Sequence, residues 1–134
     1  MKLIKGVWFI FLSCMLFAGN PIPLDINQIH RHFNIISEKE EKELNKKLLP
    51  TFTAVSKILD KVLVEQGHVT VKFRDKDYNK KTGKFSASFT QLMRRLYSHF
   101  TSLGCDTQAV IFDGDEEGTF GLSAKSQKSN LINI

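Results

Sequence analysis

The chain changes its hydrophobic period at Gly67, and that switch sets the class of fold it can build. Before it, Phe52, Val55, Ile58, Leu59, Val62 and Leu63 fall at helical spacing along Thr51 to Gln66, so they line one face of a helix. Gly67 supplies the stop, because glycine adopts the left-handed conformation that ends helices. After it the period drops to two, with Val69, Val71 and Phe73 alternating against Thr70, Lys72 and Arg74. That alternation belongs to a half-buried strand. A chain with both periods buries them together by laying the helix stripe on one face of a sheet.

The remaining segments follow the same logic. Phe85, Ala87 and Phe89 alternate against Lys84, Ser86 and Ser88, which reads as a second strand joined to the first by a long hairpin over 75–83. Thr90 is placed to cap a helix carrying Leu92, Leu96, Phe100 and Leu103, widened by Met93 and Tyr97 and ended by Gly104. Ala109, Val110, Ile111 and Phe112 form an apolar run suited to an interior strand. A turn over 113–118 then leads to Phe120, Leu122 and Ala124 in a last strand.

Upstream, Pro21 and Pro23 keep residues 20–24 extended. Asp25 caps a short helix bearing Ile26, Ile29, Phe33 and Ile36, and Ser37 with Glu40 makes a capping box for another. That second segment, 38–49, is mostly charged and carries Leu44, Leu48 and Leu49 along a thin edge, and Pro50 breaks or kinks it. The expected fold class is α+β, with N-terminal helices packed on one face of a mostly antiparallel four-stranded sheet, in the order α-α-α-β-β-α-β-β. The chain divides into a leader (1–19), a linker and helical arm (20–50), a core domain (51–124) and a polar tail (125–134). The two hairpins echo each other as strand, Asp-x-Asp, glycine and Ser-Ala, which turn chemistry produces without duplication.

The leader has a recognisable layout. Lys2 and Lys5 precede an apolar stretch from Val7 to Phe17, broken at Ser13, and Ala18 and Gly19 follow. Charge, a short apolar core and a small-residue cut site make a secretory signal peptide, and the core is shorter than the roughly 20 residues a bilayer span needs. Phe11-Leu12-Ser13-Cys14 is the competing site, a loose likeness to the bacterial lipoprotein box in which Cys14 would carry the lipid. The expected destination is therefore secreted or periplasmic, with a lipid-anchored lipoprotein as the alternative.

Cleavage near Ala18 leaves roughly 116 residues, enough for one domain with a modest core. The balance of 19 basic and 14 acidic residues falls to 17 against 14 without Lys2 and Lys5, too mild to indicate nucleic acid. Only Cys105 survives processing, so no internal disulfide staples the domain. Cys105 reads as a small buried hydrophobe, a common role for free cysteine.

Three constellations carry chemistry. Lys72, Arg74, Lys76, Lys80, Lys81 and Lys84 surround one hairpin with Tyr78 at its tip, and Arg94 and Arg95 follow on the next helix. Only Asp75 and Asp77 oppose these eight cations between residues 72 and 95. Such a patch suits phosphates, lipid headgroups or an acidic protein surface, while the competing reading is a guard against edge-to-edge aggregation. Asp113, Asp115 and Glu117 with Gly118 match the front half of a calcium loop, but Ala124 stands where a bidentate glutamate should close the site. Asp75, Asp77 and Asn79 share that start with Lys80 in the glycine position. His30 and His32 are two apart and share no helix face. His68 or His99 with Cys105 forms no local catalytic signature.

These residues predict a small exported, non-catalytic binding or adaptor module, whose partner is another protein or an anionic surface met through the basic hairpin. Membrane attachment enters only through the leader or Cys14. The alternatives are a secreted enzyme using Cys105 with a histidine, and a module stabilised by calcium at 113–118.

Overall fold

Three helices open on side chains that take up orphan backbone donors. In the computed structural model, which describes residues 13–14, 21–112, 114 and 117–127, α1 (Ile26–His32) starts at Asp25. Its carboxylate accepts from the Gln28 amide while the Gln28 side chain accepts from the Asp25 amide. α2 (Glu38–Gln66) starts at Ser37, which accepts from the Glu40 amide, and ends at Gly67 with φ 79°. α3 (Ala87–Ser102) starts at Ser86, which accepts from the Phe89 amide. Each such cap contributes about 1 kcal/mol.

Pro50 does not end a helix. Residues 38–66 form one continuous α2, because its buried stripe of Leu44, Leu48, Thr51, Val55, Leu59 and Leu63 runs unbroken across the proline at spacings of three and four. Lys46, whose carbonyl loses its amide partner to the proline, is exposed, so water can take the place of that donor.

The second expected strand is also absent. Residues 84–89 form a single bridge, Asn79 with Lys84, and then enter α3. Phe85, Ala87 and Phe89 alternate, but Phe85 and Phe89 are also four apart, and Ser86 caps the helix that Thr90 was expected to begin. Phe89, Leu92, Met93, Leu96 and Phe100 then make one buried stripe.

The sheet takes its other strands from elsewhere. β3 (His68–Arg74), β4 (Asp106–Phe112) and β5 (Thr119–Lys125) are joined on the outside by β2 (Pro21–Pro23) and a two-residue β1 (Ser13–Cys14), in the order β1-β3-β5-β4-β2. All pairings are antiparallel. β5 lies between β3 and β4, facing Val69 with Ala124, Val71 with Leu122 and Phe73 with Phe120. Pro21 and Pro23 sit in the edge strand, where a missing amide does least harm. The element order is β-β-α-α-β-α-β-β, and the class is α+β with helices against one face of an antiparallel sheet.

That face carries the core. Val69, Val71, Phe73, Ala109, Phe120, Leu122 and Ala124 form one cluster with the α2 and α3 stripes, and Ile29 and Phe33 pack on its margin. Each fully buried Leu, Val or Phe contributes about 1.5–3 kcal/mol. On the opposite face Val110 and Phe112 are also buried, and Lys72 Nζ lies 5.7 Å from the Phe112 ring centroid.

Gly121 is required there. A Cβ at this position would lie 2.5 Å from the Phe112 ring and 2.9 Å from the Val110 side chain. Gly121→Ala is expected to destabilise the fold by about 1–3 kcal/mol, read as a lower urea midpoint with an unchanged slope. Shortening the obstacle with Phe112→Leu in the same chain should recover part of the loss.

Candidate functional site

The basic segment between β3 and α3 is a pinned loop rather than a β-hairpin. Asp75, 6 % exposed, is its hub. Its carboxylate accepts from the Asp77 amide at 3.0 Å, from the Ser86 amide at 2.7 Å and from the Ser86 hydroxyl at 3.3 Å. The two ends of the loop are therefore tied to one side chain, and the same Ser86 that caps α3 is held in place. The Asp75 amide donates to the Gly118 carbonyl, linking the loop to the β4–β5 turn.

A second pin sits at the tip. The Asn79 side chain accepts from the Lys81 and Thr82 amides at 2.9 and 3.2 Å, the local turn closure that asparagine favours. The Asn79 amide donates to the Lys84 carbonyl, and Gly83, at φ 74°, donates back to the Asn79 carbonyl.

α1 holds the returning limb. His32 Nδ1 donates to the Gly83 carbonyl at 2.8 Å, and the Phe85 amide donates to the His32 carbonyl. Asn34 Nδ2 donates to the Phe85 carbonyl. Lys84 Nζ donates to the Arg31 carbonyl at 3.0 Å, where the C-terminal end of a helix favours a cation.

Beneath lies an aromatic bed. Tyr78 and Phe33 each lie 5.2 Å from Phe85, centroid to centroid, and Phe89 stacks on Phe85 at 4.9 Å. Tyr78 also covers Gly118, where an added Cβ would come within 3.3 Å of it. Partial burial raises the Tyr78 phenol above its ordinary value near 10, and the Glu117 carboxylate adds to the shift.

Lys76, Lys80 and Lys81 are exposed on this pinned loop, beside an exposed Asp77. The other expected binding residues divide among different surroundings. Lys72 and Arg74 belong to β3. Arg94 lies 3.9 Å from Glu41 of α2, and Arg95 stacks its guanidinium 4.2 Å from the Phe52 ring centroid, so neither joins the loop. Lys84 is spent on α1.

The remaining expectations also find places. His99 Nε2 donates to Asp60 Oδ1 at 2.8 Å, fastening α3 to α2, with the Phe52 ring set edge-on against it. His68 Nδ1 donates to the Gln66 carbonyl. Cys105 is half-buried against the core just before β4. Glu117 is exposed in the β4–β5 turn, while Asp113 and Asp115 of the expected calcium set lie outside the described residues. Of residues 1–19, expected to form a leader, Ser13 and Cys14 are described, paired with Lys72 and Val71 of β3. No helix among the described residues is long and apolar enough to cross a membrane.

Comparison with known protein families, characterised proteins and solved structures finds no match to this chain.

Two outcomes follow from the loop geometry. Asp75→Ala leaves the Asp77 and Ser86 amides without their acceptor, so it should cost about 1–3 kcal/mol and speed hydrogen exchange at those amides. Tyr78 and Tyr97 are the two tyrosines of the chain, so absorbance titration with Tyr97→Phe isolates Tyr78. Its midpoint should lie above 10 and fall in Glu117→Gln. The folded state favours the neutral phenol, so this contribution to stability is complete below the unfolded value near 10. It is lost as pH rises through the higher folded value.

Proposed function

We propose that the protein is a small exported, non-catalytic binding module that meets an acidic macromolecular surface through the loop 75–86. One observation carries this reading: the loop that presents Lys76, Lys80 and Lys81 is tied down by Asp75 and Asn79 at both its ends and its tip. A loop ordered before contact loses less conformational freedom on binding. Clustered cations also steer an oppositely charged partner into place.

The guard reading is weaker in this setting. Edge protection calls for charges on an exposed strand, whereas Lys76, Lys80 and Lys81 stand on a loop away from the ladder. Tyr78 beside them offers an amphipathic contact surface of the kind enriched at interfaces. Lys72 and Arg74 extend the same positive field along β3, and Lys84 acts as a support.

The test compares two triple reversals of equal charge. Lys76→Glu with Lys80→Glu and Lys81→Glu alters the loop, while Lys46→Glu with Lys57→Glu and Lys61→Glu alters exposed positions of α2. On immobilised polyglutamate, the loop variant should elute at clearly lower salt than the α2 variant, with unchanged melting temperatures. The wild-type chain should also retain a specific partner from the native envelope or host extract that the loop variant loses. Equal elution of the two variants would remove the loop from the account.

A further inference from the structure

A cleft of about 840 Å³ opens on a different side of the loop's supports, between α1 with residues 33–36 and the facing surface of α3, β4 and β5. Its size falls within the range of small-molecule sites. Ile29, Phe33, Met93, Ala109, Phe120 and Leu122 make its walls apolar. Against that lining stand Thr90, Arg94 and Tyr97 of α3. Their spacing of four and three residues places them on one helical face, along about 10 Å of helix.

Thr90 is the group that needs explaining. It lines the cleft and is 1 % exposed, yet its hydroxyl has no hydrogen-bond partner among the described residues. A buried hydroxyl without a partner is disfavoured. One turn along, Arg94 is exposed and touches Glu41 only at 3.9 Å, which leaves most of its N–H donors open to another acceptor. A hydroxyl and a guanidinium on one face of an apolar cleft select a ligand with an oily body and an anionic, acceptor-only head.

We propose that this cleft binds a single-chain amphiphile with a carboxylate head, of the long-chain fatty acid class. The apolar walls from Ile29 and Phe33 to Phe120 and Leu122 suit an extended acyl body, and Thr90 with Arg94 suits the carboxylate. An extended peptide is a poorer occupant. The outer edge of β4 is already taken by β2, and the Leu24 amide donates to the Ala109 carbonyl at 2.9 Å, so strand addition finds no open ladder there. This site shares α1 with the basic loop but uses none of its cations.

The test titrates the full chain with a dansyl-labelled fatty acid and displaces it with palmitate or with hexadecanol, which keeps the chain and lacks the charge. Saturable one-site binding is expected, with palmitate displacing about tenfold better than hexadecanol. Arg94→Gln should erase that preference and Arg94→Lys should restore part of it. Thr90→Val should weaken palmitate about threefold or more while leaving the unliganded melting temperature within a degree or two. A photoreactive fatty acid should label Ile29, Phe33 or Met93. No saturable binding, equal affinity for acid and alcohol, or labelling outside the cleft would overturn the proposal. So would exclusive uptake of two-chain phospholipid, or concentration-dependent self-protection of the cleft, which would assign it to a second copy of the chain.

Discussion

β5 has no spare side, and the rest of the molecule is arranged around that fact. Its two edges are paired with β3 and β4. Phe120, Leu122 and Ala124 point into the layer shared with α2 and α3, while Val110 and Phe112 close over Gly121 on the reverse. A strand buried on both faces and both edges tolerates little change in side-chain volume. Its neighbours are fixed in register by the same contacts, so β3 and β4 must leave the sheet at defined points. The loop 75–86 and the β4–β5 turn begin at those points.

The two candidate surfaces draw on that rigidity differently. The loop gains order from hydrogen bonds to Asp75 at the end of β3, to His32 and Asn34 at the end of α1, and to Asn79 at its own tip. The cleft gains its shape from the gap that α1 leaves when Phe33 packs on Phe85 and Phe120, at 5.2 and 4.9 Å between ring centroids, and residues 34–36 run on to α2. α1 is therefore common to both. Its C-terminal turn braces the loop and its apolar side walls the cleft.

Much of the scaffold was legible because the hydrophobic periods are strong. The stripe ending at Gly67, the alternation in β3, the apolar run of β4 and the alternation in β5 all lie where the residues indicate. Asp25 and Ser37 cap helices as their types suggest. The failures have physical causes. Phe85, Ala87 and Phe89 satisfy a period of two over five residues while Phe85 and Phe89 also satisfy a period of four, and a distant acceptor, Asp75, settles the matter by holding Ser86 as a cap. Pro50 carries a strong local breaking signal that the continuous buried face of α2 overrides. The Asn79 turn was readable from asparagine chemistry alone. The roles of His32, Asn34 and Thr90 depend on contacts across the fold, and no local pattern announces them.

The short pairing of Ser13 and Cys14 with Lys72 and Val71 covers part of the outer edge of β3. A protease that removed the first nineteen residues would take β1 away and turn β3 from an inner strand into the rim of the sheet. The newly bared backbone would then be deterred from recruiting another chain mainly by the cations at Lys72 and Arg74. The chain with β1 and the chain without it would then differ in their tendency to associate edge to edge.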